Sequence, residues 1–237
     1  MQDLLIIDTT SERCSVGIKY QDKLSIKSQI GFKNHGKAVL AFADELLKQK
    51  NITLADVDAI VFAKGPGSFT GLRIAACVAQ GLAVSNQLPV VGISSLQALA
   101  QGAYRKSNCQ SIYVLNDARM NEVFHASYQL KNGLMQLVGQ EQVGPISSIE
   151  WSNVDDYVFV GSGLEVFKQE IPSDVFEKQI TMLSYSVEIQ DLISLALVVE
   201  PQTAEMALPS YVRNNVAHKK IVAAPVNNSS MRNSKIP

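Results

Sequence analysis

Apolar and polar positions along the first hundred residues follow two different periods. LLIID, ending at Asp8, is a short apolar run of the kind a strand makes when both its faces are covered. In CSVGIKY, Cys14, Val16, Ile18 and Tyr20 fall on one side of a period-two pattern. KLSIKSQI alternates again, which places Leu24, Ile26 and Ile30 inward, and Gln21-Asp22 between the two runs suits a hairpin turn. The period then changes. Val39, Phe42, Ala43, Leu46 and Leu47 recur at helical spacing, with Asn34 as the candidate N-cap. DAIVFA reads as a buried strand, TGLRIAACVAQGLAVSNQ as an almost wholly apolar helix, and PVVGI as another strand. Ser94 or Ser95 caps a further helix, SLQALAQGAYRK.

The order is three strands, helix, strand, helix, strand, helix. A hairpin followed by alternating helices and strands implies an α/β fold, a mixed sheet with helices packed on it. The ribonuclease-H-like unit of actin, sugar kinases and Hsp70 has this order. The second half repeats it faintly. SIYVLND ends in an acid, Asp117, as LLIID ends in Asp8, and Asn132-Gly133 is a hairpin signal between EVFHASYQL and LMQLVGQ. DYVFVGSG ends in Gly161-Ser162-Gly163, echoing Gly65-Pro66-Gly67. A helical stretch, VEIQDLISLALVVE, then returns the chain to the first half. The expected organisation is two tandem actin-like halves. Residues 1–105 with about 186–222 form the first, 106–185 a smaller second, and the Asn/Ser-rich residues 223–237 a disordered tail.

Composition narrows the function classes. The 237 residues carry a formal net charge of -1 and are 46% hydrophobic, so free nucleic acid and anionic membrane are not implied as direct partners. No apolar stretch reaches the ~20 residues that span a bilayer, and the first residues do not read as a secretory signal. Cys14, Cys77 and Cys109 form no metal or redox motif. A soluble cytoplasmic protein is expected.

KGPGSFTGLR, residues 64–73, follows a predicted strand and opens the apolar helix. It is not a Walker A loop, because no lysine follows Gly71, and it is not a dinucleotide fingerprint, because Gly71 comes one residue late. Gly65 and Gly67 permit positive φ and close backbone approach, and Ser68 or Thr70 can cap the helix. The same helix start can attract an anion. Both readings stand, a closed cap and a phosphate site. Gly71, Ala75, Val78, Ala79 and Leu82 line one side of the helix that follows. Small residues at this spacing let a neighbour approach closely, so the side is either a subunit interface or the seat of another part of the chain. If it is an interface, Ala75→Arg or Ala79→Arg blocks association.

His35, His125 and His218 form no metal cluster by spacing, and no serine lies in a G-x-S-x-G elbow. Asp8-Thr9-Thr10-Ser11 is the remaining candidate, since an acid ending the first strand is where actin-like ATPases hold metal and phosphate. An Asx turn explains the same residues. Asp117 and Arg119 occupy the matching place in the second half. The frame suits nucleotide handling, but the catalytic equipment is thin, which argues for a protein that helps another work.

GPGSFTGLRIA, SSLQALA, DARMNEVFHA and YVRNNVAHKK, in this order, resemble the TsaB (YeaZ) family from residue 1 to about 220. The resemblance implies an actin-like (ASKHA) fold and no catalytic residues. It implies a scaffold that works with TsaD and the ATPase TsaE to place the threonylcarbamoyl group on the adenosine beside the anticodon, in tRNAs reading codons that begin with adenine. Direct pairing with TsaD, self-pairing as a homodimer, and only indirect contact with tRNA are further implications. On this reading Val39, Phe42, Gly71, Ala75, Val78, Ala79 and Leu82 are the partner face. Asp8, Thr9, Thr10, Gly65, Gly67, Ser68 and Thr70 are the candidate nucleotide or anion contacts. The resemblance further implies no cofactor or metal of the chain's own, with ATP or ADP as candidates at the complex interface. Relatives often have a proline where Ala41 stands, and Lys219, Lys220, Arg232 and Lys235 make a basic end that is a solvated tail or a tRNA contact. The competing classes are an actin-like kinase or ATPase and, behind it, a metallopeptidase.

Overall fold

The structure is a computed structural model that describes residues 2–31, 34–151, 157–177 and 187–212. The expected disordered tail at 223–237, His218 and the basic stretch at Lys219 and Lys220 lie outside these residues. Five strands, β1 (Leu4–Asp8), β2 (Arg13–Tyr20), β3 (Lys23–Ile30), β4 (Ala59–Gly65) and β5 (Val90–Ser94), form one sheet in the order β3-β2-β1-β4-β5. β6 (Ser111–Arg119), β7 (Glu122–Lys131), β8 (Leu134–Gly144) and β9 (Val158–Val160) form the second, in the order β8-β7-β6-β9. In each sheet the first strand pairs antiparallel with its hairpin neighbour and parallel with a later strand, β1 with β2 and β4, β6 with β7 and β9. The repeated order is that of the mixed actin-like sheet expected from the string of elements.

Helices cover the sheets. α1 (His35–Lys50) and α2 (Phe69–Asn86) share a core with Leu5, Ile7, Val16, Ile60 and Phe62 on one face of the first sheet. α6 (Ile189–Ala196) packs on the other face against Leu4, Ile6, Val61 and Val91. Successive residues of β1 thus point alternately into two cores, which is why LLIID is apolar throughout. α3 (Ser95–Ser107) starts where β5 ends, yet Leu96, Leu99, Ala100 and Ala103 belong to the core of the second sheet with Ile112 and Val114. Two short helices, α4 (Gly163–Val166) and α5 (Ser173–Glu177), follow β9.

The turns follow their sequences. Gln21, Asp22 and Asn132 take positive φ, as does Gly133, so both hairpins close where turn-forming residues stand. Asn34 occupies the N-cap position of α1 but makes no side-chain cap bond.

Two expectations fail for physical reasons. Leu24, Ile26 and Ile30 are exposed rather than inward, at 38%, 49% and 69%. β3 is an edge strand, and Ile26 lies opposite Gly17, whose added Cβ would meet Ile189 at 2.5 Å. α6 therefore covers this face only as far as β2. The returning helix is also shorter than its apolar run, because the chain must turn after Val199 to let Gln202 exchange two backbone bonds with Val90, at 2.8 and 2.9 Å. From there residues 202–212 run back along α2 as a strap. Gln80 Nε2 donates to Ala204 O, and Ser210 N donates to Lys64 O at 2.7 Å.

Candidate functional site

The end of β1 and the start of α2 lock together through backbone. Ser68 N donates to Thr10 O at 2.8 Å, and Thr9 Oγ1 donates to Gly71 O at 2.7 Å. A Cβ on Gly67 would sit 2.5 Å from Thr10 O, and one on Gly71 would sit 1.9 Å from Thr9 O. Gly65 has φ +108° and precedes a cis peptide bond to Pro66. The glycines of KGPGSFTGLR thus admit the chain's own carbonyls. Ser68 Oγ accepts from Gly71 N at 3.3 Å, so the side-chain cap is present, and Thr70 is exposed.

Asp8 is fully buried at this junction. Its Oδ1 accepts from Thr10 N at 2.9 Å and from Thr10 Oγ1 at 2.7 Å. Its Oδ2 has no hydrogen-bond partner among the described residues. Burial pushes the carboxyl up to about 6, against the two Thr10 bonds and the nearby His35. Burial, with Asp8 beside it, also pushes the Cys14 thiol up to about 11. His35, itself buried, places Nε2 2.7 Å from Gly31 O. The sequence candidates Asp8, Thr9, Thr10, Gly65, Gly67 and Ser68 are therefore one cluster. It takes the form of an Asx turn seated on a capped helix, with one carboxylate oxygen left over.

The counterpart in the second half is built differently. Asp117 Oδ1 accepts from Arg119 N at 2.8 Å, and its Oδ2 pairs with Arg119 at 3.0 Å, which fixes the β6–β7 turn. Gly161 and Gly163 approach Leu115 O, two residues before Asp117. Phe62 pairs with Ile7, one residue before Asp8, whereas Val160 pairs with Val114, three before Asp117. Gly65-Pro66-Gly67 and Gly161-Ser162-Gly163 thus share a place in the topology but not in register. Among the described residues no three His, Cys, Asp or Glu side chains are grouped to hold a metal.

The expected partner face divides in two. Val39, Gly71, Ala75 and Ala79 are enclosed in the chain's own core, with Val39, Ala75 and Ala79 at 0% exposure. The small side chains of α2 let it lie close on β4, so the near-continuous apolar character of the helix is met largely by the sheet beneath. This corrects their assignment as contact residues: they offer no surface to a second molecule. Phe42, Val78 and Leu82 are only partly buried. Leu40 and Val84, which the periodicity did not single out, are 50% and 59% exposed. Arg73 is held by Phe69 and Tyr211, the latter on the strap. The four-residue spacing of Phe69 and Arg73 was a signal for that pair, but nothing local pointed to Tyr211.

The fold and this junction define an actin-like α/β protein whose glycine-rich loop is filled by its own backbone. The sequence model of the family described as TsaD, tRNA N6-adenosine threonylcarbamoyltransferase, matches residues 25–221. The tRNA threonylcarbamoyladenosine biosynthesis protein TsaB of Escherichia coli is 32% identical over 231 residues, covering 92% of this chain and 97% of its own. The protein of the same name from Haemophilus influenzae is 30% identical over 238 residues, covering 92% and 96%. The solved structure of YeaZ from Pseudomonas aeruginosa is 35% identical, with a TM-score of 0.79 over 89% of this chain and 100% of that one. The chain belongs to the TsaB (YeaZ) family of tRNA threonylcarbamoyladenosine biosynthesis proteins.

Proposed function

We propose that the chain is a non-catalytic partner subunit in the formation of threonylcarbamoyladenosine beside the anticodon of tRNAs reading codons that begin with adenine. It pairs directly with TsaD and works with the ATPase TsaE in the cytoplasm, touching tRNA only through the assembly. The match to the Escherichia coli protein over nearly the whole of both chains carries this reading. The backbone-filled loop at Thr9, Thr10 and Gly71 supports a subunit over an enzyme. The α1–α2 face, with Leu40, Phe42, Val78, Leu82 and Val84 at or near its surface, supports pairing with TsaD or with a second copy. ATP or ADP at the junction of the two subunits belongs to the same reading. Depletion of the protein, followed by mass spectrometry of digested tRNA, tests it: threonylcarbamoyladenosine falls, and an unchanged level overturns the reading.

One observation favours a second reading, a nucleotide-binding kinase or ATPase. Asp8 keeps a buried oxygen with no partner among the described residues, at the strand end where such enzymes bind metal and phosphate. Calorimetry of the isolated chain with ATP and magnesium separates the two, since tight binding with turnover belongs to the enzyme alone.

A further inference from the structure

Arg73 projects from the second turn of α2 with its side chain exposed. Its guanidinium carbon lies 3.8 Å over the Phe69 ring centroid and 5.9 Å from that of Tyr211. Its Nε donates to the Tyr211 hydroxyl at 3.0 Å, and the two rings stand 6.0 Å apart. Tyr211 is brought there by the strap, which the Ser210–Lys64 bond anchors one residue earlier. An arginine in water loses side-chain freedom when it is held like this. The bracket holds the planar group by one face and by Nε, and the residue remains exposed.

No carboxylate pairs with Arg73 among the described residues, whereas Arg105 is paired with Glu188 and Asp191, and Arg119 with Asp117. The position makes this lack unfavourable. Arg73 lies near the positive end of an 18-residue helix whose first turn contains no acid. Large apolar side chains are exposed around it or along the same strap: Phe69 at 42%, Tyr211 at 45%, Met206 at 51% and Leu208 at 57%. Among the described residues Arg73 is the one cation held between these rings, and a fixed cation in an apolar surround is the arrangement of an interface anchor, where neighbouring contacts exclude water from a charged pair. A phosphate chain or an RNA strand would call for several cations.

We propose that Arg73, clamped by Phe69 and Tyr211, is a preformed receptor for one carboxylate side chain of the partner subunit. The planar fork accepts both carboxylate oxygens at once, with the geometry already set before binding. The partner-contact surface then extends from the α1–α2 face across the strap. The proposal rests on the pairing with TsaD argued above.

Calorimetric titration of the full chain into purified TsaD, at low and high salt, tests it. Arg73→Gln is expected to weaken binding about thirtyfold or more, as loss of one partner of a covered charge pair does. Arg73→Lys is expected to weaken it too, because an ammonium keeps the charge but not the fork. Tyr211→Phe, which removes only the hydroxyl that orients Arg73, is expected to weaken it several-fold and keeps the test open should an Arg73 variant fail to fold. Wild-type binding that is unchanged in all three variants overturns the clamp and leaves the pairing intact. Absence of wild-type binding overturns the pairing and the clamp together. Saturable binding of ATP or tRNA that Arg73→Gln abolishes assigns the fork to a phosphate and overturns the carboxylate.

Discussion

The carbonyl oxygen of Thr9 lies 1.9 Å from the place where a Cβ on Gly71 would be. The neighbour is backbone, tied in turn to the buried Asp8–Thr10 turn, so it cannot yield. Gly71→Ala is expected to destabilise the chain by roughly 3 kcal/mol, at the upper end for overpacked sites. Urea denaturation reads the change, and a midpoint equal to wild type would refute the close approach.

Asp8 gives stability a definite pH dependence. Its folded carboxyl titrates at about 6 against an ordinary 3.8, so between these values the folded state holds the extra proton. The stabilising contribution is whole below the lower value and is lost as pH rises through the upper one, up to about 3 kcal/mol in all. Asp8→Asn keeps the acceptor for Thr10 and removes the charge. The variant is expected to be more stable than wild type at neutral pH, with the gap closing near pH 4. A constant gap across that window would show that Asp8 is not the titrating group.

The correction to the partner face has its own test. Ala79→Arg places a charge in a closed core and is expected to unfold the chain, at a cost of several kcal/mol. Leu40→Glu and Val84→Glu alter exposed side chains and are expected to leave stability within about 0.5 kcal/mol. Both are expected to lose co-purification with TsaD. A well-folded Ala79→Arg chain that fails to pair would restore the original assignment.

Arg105 bonds both oxygens of Asp191, at 2.9 and 3.0 Å, and Asp191 is 1% exposed. Burial pushes that carboxyl up even though Arg105 opposes it. Arg105→Ala leaves the acid unpaired and is expected to cost about 2 kcal/mol, reduced from a fully buried pair because Arg105 itself is partly exposed. Removing the cation raises the folded carboxyl further, so the loss is larger at about pH 8 than at about pH 5. Denaturation at both values checks it, and an equal loss would point to packing rather than charge.

The sequence was most legible where a short segment decides its own shape. Asn132-Gly133 and Gln21-Asp22 made their turns, and the two apolar periods separated α1 and α2 from the strands around them. Ser68 and Ser94, both candidate caps, accept from Gly71 N and Gln97 N. Reading failed where distant segments decide. Alternation in β3 could not reveal that α6 stops at Gly17, leaving Ile26 uncovered. Small residues on α2 pointed correctly to close packing, but the neighbour is the sheet. The strap has no period at all, because it is held by scattered bonds such as Ser210 to Lys64 and Tyr211 to Arg73. For the candidate site, the residues that close the loop were all legible in KGPGSFTGLR and Asp8-Thr9-Thr10. The unpartnered oxygen of Asp8 was not, since it depends on what surrounds it in space.

α3 links the folding of the two sheets. Its cap residue Ser94 ends a strand of the first sheet and also donates to Glu141, which accepts from Tyr128 of the second at 2.7 Å. Its apolar side, through Leu96, Leu99 and Ala103, completes the second core. A chain severed after Arg105 would leave the first piece with a bare greasy helix and the second with an open hydrophobic floor. Shared in this way, α3 ties the packing of each sheet to that of the other, so neither has a finished core without it.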